Sequence, residues 1–228
     1  MLYAISTSGE KIRAEKKKKA FCGLCGSPML AKCGQIKIWH WAHESKKDCD
    51  LWYEPETEWH LSWKSQFSSE CVEYNFKGHR ADVYNKNGVV IEFQNSSISA
   101  EEIKKREEFY GKNMIWVING KKIAQHFFWP ASSFWSIASI TDHEFIWKHL
   151  HQCWKYSNRK IYIDFGELGI NKEETAGTRA NSDGLFLITS FFNNPKKHRD
   201  RFLRSYQIDT HGECLLIERK DFLNEYLT

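Results

Sequence analysis

The sequence predicts a mixed α/β (α+β) fold, and two patterns carry that prediction. In residues 53–120, segments with helical and with strand spacing alternate in the order helix, three strands, helix, strand. In residues 1–52, four of the seven Cys fall within 28 positions, which favours a small module held together by a metal ion. Residues 121–228 contain several short strand-like runs, and we expect them to form an accessory β-rich region of unknown role.

The composition is that of an ordinary globular protein. Of the 228 residues, 41% are apolar and 27% are charged, so the chain can bury a core without disulfide staples. The net charge of +4 permits binding to nucleic acid but does not by itself indicate it. Basic residues cluster at Lys16–Lys19 and between Lys196 and Arg204, where they fit either a solvated surface or a contact with phosphates.

The sequence also predicts the compartment. It has no apolar run of about 18 residues, the length of a membrane span. Its first residues lack the charged and apolar regions of a signal peptide. We therefore expect a cytoplasmic protein, in which clustered cysteines indicate metal binding rather than disulfides.

The first cysteines predict a zinc site. Cys22 and Cys25 have the spacing of a zinc knuckle, and His43 and Cys49 follow with five residues between them. Three thiolates and one imidazole make a closed, structural Zn²⁺ site. His40 and Cys33 are competing ligands, and reduced cysteines without a metal are the alternative interpretation.

The next segment predicts a helix over Glu56–Glu70. Trp59, Trp63 and Phe67 recur at intervals of four, so in a helix they would form one apolar stripe. This stripe would pack the helix onto the core.

Three strands and a second helix are predicted after it. Alternating side chains indicate strands at residues 71–76, 79–85 and 89–94, and the Asn-Gly pair at 87–88 predicts a tight hairpin before the third. The second helix is expected from Ser99, a good N-cap, to Tyr110.

Beyond the second helix, the apolar run at residues 114–118 predicts a buried strand. Further strands are expected at 160–168 and 185–192, and a short helix at 221–227. Two stretches have no regular pattern: the aromatic segment 129–137 and the polar segment 171–184, which we expect to be an exposed loop.

Two of the predicted strands carry an acid inside an apolar stretch. Asp82 lies between Ala81 and Val83, and Glu92 lies between Ile91 and Phe93. Buried carboxylates are costly unless they are paired or bind a metal, so these two are candidate ligands for Mg²⁺. Gln94 points to the same sheet face as Glu92 and could orient a water or a phosphate there.

The first helix offers a second group. Glu56, His60 and Lys64 are four residues apart and would share one helix face. They could supply a metal ligand, a proton carrier and a phosphate contact, or they could form a simple ladder of surface charges.

The remaining candidates are contacts to nucleic acid. Arg106 and Tyr110 are four apart on the second helix, and they fit either a phosphate contact or a surface Arg stacked on a Tyr. The full set of candidate contacts is Arg80, Ser97, Arg106 and Tyr110.

In combination, these motifs resemble the competence protein CoiA-like nuclease family. The motifs are EWHLSWK, HRADV and IEFQNSSIS, followed by Arg106 and Tyr110 before IWVI. The Cys-x2-Cys pair and WHWAH-x5-C resemble the N-terminal zinc element of that family. The resemblance covers roughly residues 20–120.

The resemblance implies a restriction-endonuclease-like mixed-sheet core flanked by helices, with a variant of the PD-(D/E)xK motif. Asp82 matches the first acid and Glu92 the second, while Gln94 stands where Lys is usual. Gln cannot supply the positive charge of Lys, so we expect Lys64 to replace it from the first helix.

These observations predict a DNA endonuclease that depends on Mg²⁺ or Mn²⁺, with a role in DNA uptake, recombination or defence against foreign DNA. The alternative is a non-catalytic, zinc-containing module that binds nucleic acid as an adaptor for a recombination or defence protein. RNA is an alternative substrate, and a homodimer is an open alternative for the assembly.

Overall fold

A computed structural model describes residues 1–45, 49–50, 52, 54–128, 143–147, 152–166, 184–192 and 210–227. The chain divides into two compact units, Met1–Ser96 with Tyr226–Thr228, and Ser97–Glu225. Both contain strands and helices, so the predicted mixed α+β class is confirmed. None of the helices in the described ranges is long and apolar enough to span a membrane.

The N-terminal part of the first unit is a five-stranded antiparallel sheet with the order β2-β1-β3-β4-β5. One face of this sheet carries Ala4, Ala20, Met29 and Trp41, which form a buried cluster with Met1. The strands are β1 (Tyr3–Ser6), β2 (Lys11–Arg13), β3 (Ala20–Phe21), β4 (Pro28–Lys32) and β5 (His40–His43).

The same unit continues with one helix and three antiparallel strands. The strand order is β6-β7-β8, and β7 and β8 form the predicted hairpin. Asn85 and Gly88 close the turn between β7 and β8, where Gly88 has a positive φ of 76°. The elements are α1 (Glu58–Lys64), β6 (Val72–Phe76), β7 (His79–Tyr84) and β8 (Val90–Gln94).

Helix α1 is shorter than the predicted 56–70. It begins after Thr57, whose hydroxyl accepts a hydrogen bond from the His60 amide, and it ends at Ser65. Ser at 65, 68 and 69 competes with helical hydrogen bonding, which favours an early end. The aromatic stripe nevertheless packs as a group, because Trp59, Trp63 and Phe67 all contact the ring of Phe93, with centroids 5.6–6.4 Å apart.

The second unit begins with α2 (Ala100–Tyr110), capped by Ser99 and followed by Gly111, as predicted. Its sheet is mixed, with the order β10-β11-β14-β13-β12-β9, and only the β12–β9 pair is parallel. The strands are β9 (Met114–Asn119), β10 (Phe127–Phe128), β11 (His143–Trp147), β12 (Lys160–Asp164), β13 (Gly184–Phe192) and β14 (Thr210–Glu218), and the last helix is α3 (Arg219–Tyr226).

Most predicted elements of this unit are present, namely the buried strand β9, the strands β12 and β13, and helix α3. Strands β10, β11 and β14 were not predicted. The segments 129–137 and 171–183, and the basic cluster between Lys196 and Arg204, lie outside the described residues.

Candidate functional site

Four predicted zinc ligands converge in the first unit. The ligand atoms of Cys22, Cys25, His43 and Cys49 all lie within 4.8 Å of one another, and Cys25 Sγ is 3.4 Å from His43 Nε2. Among the residues that the structure describes, no other set of three or more metal-ligating side chains converges in this way. A Cys₃His cluster of this kind could bind a metal such as zinc.

The turn between β3 and β4 builds half of this cluster. The Cys22 amide donates to Ser27 O at 2.8 Å, and the Gly26 amide donates to Cys22 O at 2.9 Å. Gly26 adopts a positive φ of 68°, which a residue with a side chain rarely does, so the tight turn depends on glycine. The third and fourth ligands come from the end of β5 and from the segment after it.

Two thiols of the cluster, those of Cys25 and Cys49, have pKa values shifted in opposite directions. Burial opposes ionisation of Cys25, but hydrogen bonds from Ser27 and His43 lower the pKa of its thiol to about 6. Burial and the nearby Cys22 raise the pKa of Cys49 to about 12, despite the opposing charge of Arg80. Cysteine binds a metal as the thiolate, and Cys25 is the one of these two that ionises more readily.

The two competing ligands lie outside the cluster. His40 is three residues before His43 on β5, so the two rings point to opposite faces of the sheet. His40 Nδ1 lies 2.9 Å from the carbonyl oxygen of Ile38. Cys33 packs beside the N-terminal core cluster.

A second cluster surrounds the buried ammonium of Lys64. Its Nζ lies 2.7 Å from Asp82 Oδ1, 2.8 Å from Glu56 Oε1 and 3.6 Å from Glu73 Oε1. Burial alone would lower the pKa of Lys64, but Asp82, Glu56 and Glu73 together raise it above its usual value. Lys64 is therefore positively charged beside Asp82 of β7. Glu56 was predicted to lie on the same helix as Lys64, but it precedes the first residue of α1.

Each of the two acids of the β7–β8 hairpin accepts a hydrogen bond from a backbone amide of the opposite strand. The Asp82 amide donates to Glu92 Oε1 at 3.3 Å, and the Phe93 amide donates to Asp82 Oδ2 at 2.9 Å. Glu92 is buried, while Asp82 is partly exposed. The structure thus brings both predicted acids and Lys64 to one place.

Gln94 belongs to a neighbouring group of contacts. Its side-chain amide donates to Glu54 Oε1 and, at 3.1 Å, to Ser96 O. Glu54 also accepts a hydrogen bond from the Ser96 hydroxyl and lies 3.8 Å from His60 Nε2. Glu54 was not predicted as a site residue, although its position two residues before Glu56, across Pro55, was a signal for a second acid near the site.

His60 is held by the backbone at both ring nitrogens. Nδ1 accepts a hydrogen bond from the Thr57 amide at 3.2 Å and completes a capping box, and Nε2 lies 2.9 Å from Phe93 O. These contacts assign His60 a structural role, joining the start of α1 to β8. The predicted role as proton carrier stays a prediction that this geometry does not favour.

The Arg80 side chain is partly buried, so it is not a simple surface residue. Its amide donates to Asp50 Oδ2 at 2.7 Å, and its Nη1 lies 2.6 Å from Met1 Sδ. Burial opposes its charge, but Glu73 and Glu56 raise the pKa of the guanidinium.

Glu73 was also missed, because its importance depends on partners far away in the sequence. It has a positive φ of 52°, and its two carboxylate oxygens accept hydrogen bonds from the amides of Leu2 and Tyr3 at 2.8 and 3.0 Å. Its place in an alternating strand gave no sign of this role. Glu73 thus links Leu2 and Tyr3 to β6 by hydrogen bonds.

The other candidate contacts belong to the second unit. Arg106 is buried and forms an ion pair with Glu102 one turn earlier on α2, and Tyr110 is buried too, so neither is the surface residue of the simpler interpretation. Ser97 is exposed. Their roles in nucleic-acid binding stay predictions.

Comparison with known proteins identifies the family. Residues 5–51 match the family model "Competence protein CoiA, N-terminal domain", and residues 56–162 match "Competence protein CoiA, nuclease-like domain". Together the two models cover about two thirds of the chain, so the chain belongs to the CoiA-like family and contains a nuclease-like domain.

A curated relative supports this assignment. Competence protein CoiA of Bacillus subtilis (strain 168) is 27% identical over 141 residues, which are 55% of this chain. The match spans 37% of the length of that relative. No solved structure matches the chain.

Proposed function

We propose that this protein is a metal-dependent nuclease that hydrolyses phosphodiester bonds in DNA. The observation that carries the proposal is the approach of Lys64 Nζ to 2.7 Å from Asp82 Oδ1, beside Glu92 on the next strand. Lys64 would supply from helix α1 the positive charge that Gln94 cannot provide. The family supports a role in competence, and we extend the proposal to DNA uptake, recombination or defence against foreign DNA.

Asp82 and Glu92 would hold the catalytic Mg²⁺ or Mn²⁺. Both offer hard oxygen donors on adjacent strands, and Mg²⁺ in proteins is commonly held by one or two carboxylates with water completing its shell. Asp82 is partly exposed, so an ion could reach it from solvent. When bound, such an ion polarises the scissile phosphate and makes a bound water more acidic.

The neighbouring side chains divide the remaining work. Lys64 would stabilise the negative charge that grows on the phosphate during hydrolysis. Gln94, held by Glu54, would orient a water or a phosphate oxygen. The Cys₃His cluster would hold a structural Zn²⁺.

One observation favours the non-catalytic alternative. Both oxygens of Asp82 already have partners within the protein, Lys64 at Oδ1 and the Phe93 amide at Oδ2. If these contacts persist with nucleic acid bound, the acids would serve folding, and the protein would act as an adaptor for a recombination or defence partner.

A cleavage assay with matched variants decides between the two. Purified protein would be incubated with single-stranded DNA, duplex DNA and RNA, in Mg²⁺, in Mn²⁺ and without added divalent ion, which leaves the zinc cluster undisturbed. We expect metal-dependent cleavage of DNA by the wild type and a loss of at least about a hundredfold in Glu92→Gln.

The control is Glu108→Gln, the same chemical change on an exposed side chain of α2, which should retain full activity. Cleavage that survives in Glu92→Gln, or that is absent from the wild type with every substrate, would exclude the proposed nuclease.

A further inference from the structure

The five-stranded sheet has a second face, opposite its buried cluster. The paired positions Tyr3 and Arg13, Ile5 and Phe21, and Lys32 and His40 lie on the same side, because directly opposed residues of antiparallel strands share a face. We call this side the basic-aromatic face, formed by Tyr3, Ile5, Lys11, Arg13, Phe21, Leu30, Lys32 and His40.

Large apolar side chains on this face remain in contact with solvent. Phe21 is 39% exposed and Leu30 is 41% exposed, although both lie in the middle strands of the sheet. Their neighbours in the sequence, Ala20 and Met29, are buried on the other face. Exposed apolar groups gathered on one regular surface indicate a binding site.

The charge of the face is positive. Arg13 and Lys32 contribute two exposed cations, and none of the described strands β1–β5 contains Asp or Glu. Lys11 is a third cation at the edge of the face, where its Nζ donates to Val72 O and interacts with Glu73. Two of the cations contact a ring: Lys11 Nζ and the Arg13 guanidinium lie 5.5 and 5.4 Å from the ring centroid of Tyr3. A surface of this charge is complementary to a polyanion.

Exposed cations beside the exposed ring of Phe21 suit a particular polyanion. Aromatic side chains stack on bases whose faces are accessible, as they are in a single strand, while the cations follow the phosphates. In a duplex the base faces are stacked inside the helix, so the rings would have no partner.

A cavity adjoins the edge of the face that Tyr3 and Lys11 form. Its volume is about 260 Å³, and the segment 70–80 contributes Glu70, Glu73, Tyr74 and Arg80 to its lining. Glu73 Oε1 in turn lies 3.6 Å from Lys64 Nζ. All of these residues belong to the first unit.

We infer that the basic-aromatic face binds single-stranded nucleic acid. The inference rests on the proposed nucleic-acid substrate, but it does not require hydrolysis. It places a binding track on the zinc module, separate from the acids of the hairpin.

Binding would be measured by fluorescence anisotropy with labelled single-stranded DNA, single-stranded RNA and duplex DNA, without added divalent ion, so that binding is read without cleavage. We expect the wild type to prefer either single strand to the duplex. Phe21→Ala/Leu30→Ala should weaken single-strand binding at least about tenfold, because the Phe21 ring would no longer stack on a base and Leu30 would lose its apolar contact.

Charge reversal provides a second, independent variant. Arg13→Glu/Lys32→Glu should weaken binding and lower its salt dependence, since fewer phosphate counterions are released. Lys104→Glu/Lys105→Glu on α2 makes the same change in net charge on exposed side chains and should bind nearly as the wild type does. Phe21→Tyr keeps the ring, so it should retain binding and show that loss in the Ala variant is not misfolding.

Equal losses in the face and control variants would overturn the inference, as would wild-type preference for duplex or no wild-type binding. A separate cleavage assay distinguishes the two proposals. Binding to the face without cleavage would support the binding face and exclude the nuclease. Cleavage by the wild type, with binding unchanged in the face variants, would support the nuclease and exclude the binding face.

Discussion

At the residue scale, the central feature is the buried Lys64 among the carboxylates of Glu56, Glu73 and Asp82. Removing this cation leaves three neighbouring carboxylates without the ammonium that they share. Lys64→Met should therefore lower the free energy of unfolding by about 3–5 kcal/mol, the usual result of breaking a buried ion pair from one side.

Urea unfolding measures this change. Lys104→Met, on the exposed face of α2, is the matched control and should change stability by no more than about 0.5 kcal/mol. If the urea midpoint of Lys64→Met equalled that of the wild type, the acids would not need this ammonium. The ion-pair cluster on which the proposed site depends would then be contradicted.

The same cluster predicts how stability depends on pH. Burial alone would raise the pKa of Glu56, but Lys64 and the N-terminal ammonium hold it below its usual value of 4.5. Because the unfolded chain then binds a proton more readily, the stabilisation is complete above about pH 5.5 and is lost as the pH falls toward the lowered pKa.

Unfolding free energies measured between about pH 3 and 6 should rise with pH in the wild type and rise less in Glu56→Gln. Glu108→Gln, on an exposed side chain, should keep the wild-type slope. If the free energy of unfolding rose equally with pH in the wild type and in Glu56→Gln, Glu56 would not be the source of this pH dependence.

At the element scale, the knuckle between β3 and β4 is too small to be held by its own apolar contacts. The strands β3 and β4 have two and five residues, so we expect a metal to fix the turn between them. Cys25→Ser should lower the zinc content to well below one ion per chain and lower the melting temperature.

Cys33→Ser is the matched control, because Cys33 lies outside the four-ligand cluster, and it should retain zinc. Zinc content is read by atomic absorption on freshly purified protein. Equal zinc in both variants would mean that the ligand set is not the one that the geometry indicates.

Elements whose signals are local could be predicted well. Helix α2 was predicted from Ser99 to Tyr110 because its cap and its stop are single residues at its ends. Cys22 and Cys25 were found for the same reason, since a knuckle is a spacing of three. Helix α1 was predicted too long, because the aromatic stripe continues through Phe67 after the helical hydrogen bonds have ended.

At the scale of the whole molecule, prediction failed where a contact joins distant parts of the chain. Glu73 reaches the amides of Leu2 and Tyr3, about 70 residues away, and Asp50 reaches His79 and Arg80. Their value depends on the folded neighbourhood, so no local pattern reports it. The sequence accordingly predicted a zinc module at 1–52 without the bonds that tie it to the hairpin.

These bonds predict that the module with the Cys₃His cluster and the strands β6 and β7 unfold together. Glu73 on β6 and the Asp50 contacts with His79 and Arg80 on β7 lie within one compact unit, so loss of the knuckle should release both ends of each bond. Native-state hydrogen exchange with and without a zinc chelator would measure this. We expect faster amide exchange in β3, β4, β6 and β7 after chelation, with β13 and β14 as reference strands. If the increase stopped at residue 50, the module would be an independent domain that only shares a chain with the nuclease-like core.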